Sequence, residues 1–275
     1  MSIIYINPYQ FAAFDPDALT YISAVETADG QALESGVRVA INDFVLGCKQ
    51  DGIWNAIKAS CILAGARTLD GALVPLVKQP ADSAPARFGT EGGWNYNRET
   101  GLQGNGQNNY INSGRNNNAD PQNSKHLAVY FGAALSIQSV FRAHIGVLSQ
   151  NLSQTGASII GTDTAVANSR YRINGSTPAV VASGLAVGLK AASRSVSGEI
   201  VSRQNGTSAT TASTSETPAN NDLYLFARNI TGPGGSIDSY SNARLAFYSI
   251  GESLDLAKLD TRVSNLITAI DAAIP

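Results

Sequence analysis

The spacing of hydrophobic positions changes near residue 80 of this 275-residue chain. Before that point apolar residues recur every three or four positions, which is the period of a helix with one buried face. After it, short apolar or alternating runs lie between clusters of glycine and asparagine, a pattern typical of strands and turns. The sequence therefore predicts a mainly β protein with some α structure, in which a small helical domain precedes a sandwich of antiparallel strands.

The helical domain is expected to span residues 15–80 and to contain three helices. The first begins at Asp15-Pro16-Asp17, which supplies an N-cap acceptor, a proline suited to the first turn, and a second acid near the positive end of the helix dipole. A second helix is expected from about Gln31 and a third after Asp51. The buried face of the third would consist of Ile53, Trp54, Ile57 and Cys61.

The sandwich is expected to span residues 81–252. Two dipeptides, Asn174-Gly175 and Asn205-Gly206, are the kind that type I′ hairpin turns favour, because both central residues of such a turn need positive φ. Many short strands separated by such turns indicate an antiparallel sandwich.

Three prolines, Pro75, Pro80 and Pro85, lie between the two regions and indicate a linker. Each region is therefore expected to bury its own apolar face. On this interpretation a fragment of residues 85–275 should remain soluble when it is expressed alone.

The last segment, residues 253–275, predicts a C-terminal helix capped by Ser253. Its apolar positions alternate three and four residues apart and form a seam of Leu256, Leu259, Val263, Leu266 and Ile270. The seam could pack on the chain's own sheet or helices, or it could meet copies of itself in a homo-oligomer, for which we favour a trimer. An N-terminal arm, residues 1–14, contains the β-branched run Ile3-Ile-Tyr-Ile6, which could pair with an exposed strand edge.

Composition and charge exclude several functions. Charged residues make up 15% of the chain and the net charge is −2, so the chain lacks the basic footprint that nucleic-acid binding needs. Apolar runs are too short for a membrane span, and the first residues lack the cationic flank of a signal peptide. We expect a protein made in the cytoplasm, with Cys48 and Cys61 as reduced, buried thiols.

The chemistry-bearing residues argue against an enzyme. Glycanases of the jelly-roll class need paired carboxylates that face one cleft, but the acids between Glu91 and Glu252 are isolated in sequence. With only His126 and His144, the chain has no histidine pair at the spacing of a zinc site. We expect no catalytic residue, no metal site and no cofactor. The oxygen-rich stretch 116–120 could form a weak calcium site, but a turn stabilised by asparagine side chains is the favoured interpretation.

Glycan binding has milder requirements, since an aromatic face and a few polar side chains suffice. Two loop-like segments supply such groups, and the candidate glycan-binding residues are Trp94, Tyr96, Arg98, Arg115, Asn116 and Asn118. Trp94 follows Gly92-Gly93, so it could equally fill the core between the two domains.

Several motifs resemble known families. The strand Ala243-Arg-Leu-Ala-Phe-Tyr-Ser-Ile250, followed by Gly251-Glu-Ser-Leu-Asp-Leu-Ala-Lys-Leu259, resembles the end of concanavalin A-like (laminin G-like) jelly-roll modules. The stretch 18–71, with Ala28-Asp-Gly-Gln-Ala-Leu-Glu34 and Gly52-Ile-Trp54, resembles a helical element in structural proteins of tailed bacteriophages. So does the stretch from Gly101-Leu-Gln-Gly-Asn-Gly106 to His126, and together the resemblance covers residues 15–272.

The resemblance implies a tail-fibre, adhesin or capsid-surface protein with a lectin-like jelly-roll domain. Such a protein would assemble into the virion in the host cytoplasm, attach to other virion proteins, and bind a glycan on the host surface. The alternatives are a capsid decoration protein and, less favoured, a carbohydrate-active enzyme.

Overall fold

The computed structural model describes residues 14–149, 155–232 and 235–275. Within these ranges the chain forms four α-helices: α1 (Pro16–Asp29), α2 (Ser35–Gln50), α3 (Leu69–Ala72) and α4 (Leu256–Ala273). Nearly all of the predicted N-terminal arm, including Ile3-Ile-Tyr-Ile6, lies outside the described residues.

The described residues also form eighteen strands. In chain order they are β1 (Ile57–Ile62), β2 (Val77–Lys78), β3 (Ala86–Phe88), β4 (Asn95–Asn97), β5 (Gly101–Gln103), β6 (Tyr110–Asn116), β7 (Lys125–Phe131), β8 (Arg142–Ser149), β9 (Ser158–Thr162), β10 (Ser169–Arg172), β11 (Ala179–Val181), β12 (Gly188–Val196), β13 (Glu199–Gln204), β14 (Thr207–Ala212), β15 (Asp222–Leu225), β16 (Arg228–Thr231), β17 (Ile237–Asp238) and β18 (Arg244–Gly251).

Two sheets pack face to face and form the predicted sandwich. The first has the order β14-β13-β12-β7-β18-β1-β2, with β5 on β18 and β4 on β5, and the second has the order β11-β10-β9-β8-β15-β6-β3, with β16 on β8 and β17 on β16. The pairings are antiparallel except that of β16 with β8. The core between the sheets holds apolar side chains from both, such as Leu127 and Phe131 from the first and Ile145 and Ile160 from the second. The mainly β sandwich class, with a C-terminal helix, is thereby confirmed.

The helices cover the outer face of the first sheet. Side chains of α1, α2 and α4 share one apolar cluster with Ala128, Tyr130 and Phe247, which point outward from that sheet. The rings of Phe44 on α2 and Phe247 on β18 meet edge to face, with centroids 5.6 Å apart. The described residues therefore form three layers, and among them no helix covers the outer face of the second sheet.

The predicted third helix is wrong, because residues 57–62 form strand β1 between β18 and β2. Ile57 and Ile62 belong to the helix-side core, whereas Ala59 and Cys61 belong to the core between the sheets. A strand buried on both faces is a continuous apolar run, and its periodicity cannot be told from that of a buried helix. Part of the region assigned to the helical domain, residues 15–80, is therefore built into the sandwich.

One of the two predicted hairpin turns is confirmed. Asn205 and Gly206 have φ of 50° and 73°, and Gln204 pairs directly with Thr207 across the two-residue turn. Asn174 also has positive φ, but it is buried and its amide donates to the Gln122 carbonyl at 2.9 Å. The connection between β10 and β11 is longer than the two residues of a type I′ turn, so the prediction of such a turn at Asn174-Gly175 is wrong.

The apolar seam of α4 lies inside the molecule. Leu256, Leu259, Val263, Leu266 and Ile270 are all buried in the cluster shared with α2. An oligomer contact through this seam is therefore wrong, and the alternative that it packs on the chain's own sheet and helices holds. The N-cap is Asp255, not Ser253, since Asp255 accepts from the amides of Ala257 and Lys258.

The two cysteines, Cys48 and Cys61, are unpaired and buried, as expected. Burial raises the pKa of each thiol to about 12. None of the described helices combines the length and the hydropathy that crossing a bilayer would require.

Candidate functional site

Trp94, Tyr96 and Arg98 lie beside the core rather than around an open site. The Trp94 ring meets Phe226 edge to face at 5.5 Å, which agrees with its role as a core side chain. The Tyr96 hydroxyl donates to the Ala66 carbonyl at 2.7 Å, and burial raises the pKa of this hydroxyl well above its usual value, so it stays neutral. Arg98, the residue after β4, donates at 2.7 Å to Glu34, the N-cap of α2.

Arg115, Asn116 and Asn118 lie in or beside a buried cluster of charged side chains. The Arg115 side chain is buried against Asp82 and Asp120, so it does not reach a surface ligand. The side-chain oxygen of Asn116 accepts from the backbone amide of Asn118 at 3.1 Å, and the side-chain amide of Asn116 donates to the side chain of Asn220 at 3.0 Å. The favoured turn is present, and the described residues hold no group of three or more histidine, cysteine, aspartate or glutamate side chains fit for a metal.

The uncovered face of the second sheet carries a different set of residues. In β6 the side chain of Ile111 points into the core, so those of Tyr110 and Asn112 point outward. In β15 the same alternation buries Leu223 and Leu225 and turns Asp222 and Tyr224 outward. Asn112 donates to Asp222 at 2.9 Å across the two strands, so polar and aromatic groups share this face.

Four aromatic rings adjoin along this face, three of them stacked, and we call Phe88, Tyr110, Tyr224 and Tyr240 the aromatic ladder. The Phe88 and Tyr110 rings are stacked at 5.0 Å and 11°, because these residues pair directly between β3 and β6. Tyr110 and Tyr224 stack at 4.8 Å and 22°, and Tyr240 tilts against Tyr110 at 6.5 Å. Stacked rings on neighbouring strands hold one another in place, so the ladder is preorganised.

The Phe88 end of the aromatic ladder is exposed, and Tyr224 at the other end is half-buried. Phe88 lies on the edge strand β3 and is 45% exposed. One face of the Tyr224 ring is covered by Tyr110, so the opposite face looks toward β8, where the cross-strand partner is Gly146 and has no side chain. Within the described part of the chain, the hydrogen bonds include none to the hydroxyls of Tyr110, Tyr224 and Tyr240. Burial raises the pKa of each, so the hydroxyls remain neutral donors and acceptors.

Beyond Gly146 the same face opens into a cavity of about 340 Å³, which we call the arginine pocket. It is lined by Phe141, Ile159, Asp163, Thr164, Arg170, Arg172, Arg228 and Ser239. Arg170 and Arg172 point outward from β10, while Ser169 and Tyr171 between them are buried. The Phe141 ring packs against Gly161 of β9, and a Cβ atom at position 161 would come within 2.5 Å of the ring. The Arg228 guanidinium lies 5.8 Å from the centre of the same ring.

Ion pairs hold two of the guanidinium groups of the arginine pocket. Arg170 donates to Asp163, whose side chain is 14% exposed, and Arg228 binds Asp238 through two bonds of 2.8 and 2.6 Å. Burial and the charges of Arg170 and Arg228 lower the pKa of Arg172, while Glu216 acts in the opposite direction. The Glu216 carboxylate itself accepts from the Gly156 amide and the Ser176 hydroxyl.

A second groove of about 400 Å³ lies between α2 and α4 on the other side of the molecule. Its lining includes Asp43, Gln50, Arg262 and Asn265, and Phe44 is the aromatic residue among them. Arg262 is engaged there by Asp51 at 2.7 and 3.0 Å. We take the face with the aromatic ladder and the arginine pocket as the candidate site, because stacked rings and polar groups of the described residues adjoin there.

The sequence-based candidates missed these residues for a physical reason. The ladder draws on positions 88, 110, 224 and 240, which the strand pairing brings together from distant parts of the chain. The local signal was the alternation in β6 and β15, which marks Tyr110 and Tyr224 as outward-facing. Knowing which strands are neighbours would have been needed to place them side by side.

The comparisons with known proteins bear on the fold. No family model matches this chain, and no curated protein matches it. Among solved structures, a mutant sialidase of Trypanosoma rangeli with trans-sialidase activity is 9% identical and matches 82% of this chain and 39% of its own at a TM-score of 0.51. The sialidase of the same organism in complex with sialic acid is 7% identical over 79% of this chain and 33% of its own, with a TM-score of 0.48.

Domain 4 of AbnA, an extracellular arabinanase of Geobacillus stearothermophilus in complex with arabinotriose, is 14% identical and matches 75% of this chain and 97% of its own at a TM-score of 0.40. The chain spans 33–39% of the length of the sialidases it matches. At these identities a likeness concerns the fold alone, and the match to the mutant sialidase at a TM-score of 0.51 agrees with a β-sandwich.

Proposed function

We propose that this protein is a non-catalytic glycan-binding protein whose binding face is the uncovered face of the second sheet. The aromatic ladder is the observation that carries the proposal. A preorganised ring with a free face suits the apolar side of a sugar, and three tyrosine hydroxyls beside it suit the sugar's hydroxyl groups. The fold by itself does not carry the proposal, since one fold serves many functions.

The wider role that we propose is attachment of a tailed bacteriophage to its host, as a tail-fibre or adhesin-like component of the virion. The motifs of residues 18–71 and 101–126 that resemble phage structural proteins support this role. In it, the helical side of the molecule is the surface for neighbouring virion proteins, and the uncovered face of the second sheet points toward the host.

Substitution of either end of the aromatic ladder is expected to weaken glycan binding. Phe88→Ala and Tyr224→Ala should each reduce the affinity for a bound polysaccharide about tenfold, because central aromatic contacts contribute more than about 1 kcal/mol to an interface. Binding would be measured with a panel of immobilised bacterial surface polysaccharides. Leu19→Ala is the matched control, since Leu19 on α1 is 43% exposed but lies on the helical side.

Equal binding by Phe88→Ala, Tyr224→Ala and Leu19→Ala would show that the ladder is not the binding face.

The same polysaccharides also test the absence of catalysis. Prolonged incubation is expected to release no reducing ends, and their release would favour a carbohydrate-active enzyme.

We also propose that the protein is a homo-oligomer, with a trimer favoured, because repeated rotational symmetry turns one weak contact into a stable assembly. The expected mass by light scattering after size exclusion is about three times that of one chain of 28.7 kDa. Deletion of residues 1–10 should then dissociate the assembly without unfolding it. A mass of one chain that persists at high protein concentration would contradict the proposal.

A further inference from the structure

We propose that Asp222 makes the uncovered face of the second sheet selective for neutral glycans. Its carboxylate accepts hydrogen bonds from the hydroxyl groups of a sugar that lies beside Tyr224, and it repels a sugar that carries a carboxylate or a sulfate. The inference rests on the proposed glycan-binding function and names the chemical class of the glycan. It concerns a residue that does not belong to the aromatic ladder.

The first step is the position of Asp222. Asn112 of β6 pairs directly with Tyr224 of β15, and the side-chain amide of Asn112 donates to Asp222 at 2.9 Å. Asp222 precedes Tyr224 by two residues in β15 and points to the same face. The carboxylate therefore lies at the side of an aromatic ring. A sugar whose apolar side meets that ring presents the hydroxyl groups of its edge to the carboxylate.

The second step is the hydrogen-bonding capacity of this carboxylate. An ionised carboxylate has about four acceptor positions, and Asn112 occupies one of them, on Oδ2 of Asp222. In the described part of the chain, Asp222 has no ion pair, and no group donates to its Oδ1. Hydrogen bonds to a charged acceptor are roughly twice as strong as those between neutral groups. Asp222 therefore keeps strong acceptor positions that the hydroxyl groups of a sugar can fill.

The third step is access to the carboxylate. Ala86 of the edge strand β3 pairs with Asn112, so Ala86, Asn112 and Tyr224 form one row across three neighbouring strands. Ala86 is small and exposed, while Asn112, Asp222 and Tyr224 are half-buried. The row therefore opens at the edge of the sheet. Two strand spacings of about 4.8 Å give it a length of roughly 10 Å, which accommodates a short run of sugar units.

The fourth step is the effect of charge. An acidic group over this row lies beside a carboxylate that no cation of the described residues neutralises, and like charges that meet across an interface oppose binding. On the same face, Arg170 and Arg228 are already paired with Asp163 and Asp238. They therefore leave the charge of Asp222 uncompensated, and the row favours a neutral sugar.

The experiment compares polymers that share one backbone and differ in charge: dextran, carboxymethyl-dextran and dextran sulfate. At low salt the 275-residue protein is expected to bind dextran about tenfold more tightly than either acidic derivative. The difference should shrink as the ionic strength rises, because salt screens the repulsion. The neutral and acidic members of the polysaccharide panel provide the same comparison for other sugars.

One substitution isolates the charge of Asp222. Asp222→Asn preserves the size of the side chain and an acceptor for Asn112, so it should lower the affinity for dextran about tenfold and leave dextran and its acidic derivatives with nearly equal affinities. Asp271→Asn is the matched control, since Asp271 is an exposed residue of α4 and its substitution changes the net charge equally. It should change none of these affinities. Thermal unfolding of both variants would verify that the fold is retained.

The outcomes separate the two proposals. If Phe88→Ala and Tyr224→Ala weaken the binding of a polysaccharide while Asp222→Asn does not, the ladder binds glycan and the role of Asp222 is wrong. Equal or tighter binding of the acidic dextrans by the unaltered protein, or binding confined to acidic members of the panel, would also overturn the inference. If the protein binds none of the three dextrans and no polysaccharide of the panel, both proposals are overturned.

Discussion

A fragment of residues 85–275 is expected to aggregate or to remain unfolded when it is expressed alone. This is the reverse of what the proline-rich linker indicates, and the reason is strand β1. It lies between β18 and β2, so its loss leaves β18 with an exposed edge and removes Ala59 and Cys61 from the core between the sheets. An exposed, apolar strand edge of this kind promotes aggregation.

The loss of the helices acts in the same direction. Without α1 and α2, the outward side chains of the first sheet, among them Tyr130 and Phe247, lose their cover, and so does the inner face of α4. A typical domain is stable by only about 5–15 kcal/mol, and a single large buried side chain contributes about 2–5 kcal/mol. Removing a whole layer therefore exceeds the total stability.

Size exclusion and circular dichroism of the fragment would test this expectation. Co-expression with residues 1–84 should restore a soluble complex, since the missing strand and helices are then supplied in trans. As a matched control, a protease site inserted at the exposed Ala84 allows the folded chain to be cut at the same boundary, and the two pieces should elute together. A soluble, β-rich fragment that needs no partner would show instead that the sandwich folds independently.

The sequence predicted those elements whose signals are local. The N-cap at Asp15, the turn at Asn205-Gly206 and the period of α4 each depend on neighbours within a few residues, and the structure contains all three. Strand β1 was misassigned because burial on both faces removes the alternation that distinguishes a strand. The α4 seam was read correctly as apolar, but its partner, α2, lies more than two hundred residues away.

The candidate site was harder to predict than the fold. Trp94 and Arg98 have the residue types of a glycan site, yet Trp94 packs on Phe226 and Arg98 on Glu34. Residue type alone does not distinguish a ligand contact from a tertiary contact. The ladder and the arginine pocket depend on the order of strands in the second sheet, and strand order follows from the global packing of both sheets.

The largest effect of a single substitution is expected at Asp120. Its carboxylate binds Arg115 and also accepts from the Lys125 ammonium group at 3.0 Å, while Arg115 donates to Asp82 at 2.8 Å. The Lys125 side chain is 0% exposed and that of Asp120 is 1% exposed, so both charges are removed from water. Two cations and two carboxylates balance in this cluster, and the Lys125 ammonium group also donates to the Asn117 carbonyl.

Asp120→Asn is expected to lower the free energy of unfolding by about 3–5 kcal/mol, because it leaves a buried cation without its partner. Urea denaturation at neutral pH would measure the change. Asp70→Asn is the matched control, since Asp70 also binds an arginine, Arg87, but is 73% exposed. Its expected effect is below about 1 kcal/mol. Adding Lys125→Met to Asp120→Asn should recover part of the loss by removing the unpaired cation.

The pH dependence provides an independent measurement of the same contribution. Burial alone would raise the pKa of Asp120, but Lys125 and Arg115 outweigh it and lower the pKa below 3.8. The carboxylate therefore stabilises the fold fully above that pH, and its contribution declines as the pH falls through the lowered value. The difference in unfolding free energy between the unaltered protein and Asp120→Asn should be constant from neutral pH to about pH 5 and shrink in stronger acid. A difference no larger than that of Asp70→Asn at neutral pH would contradict the buried cluster as a major source of stability.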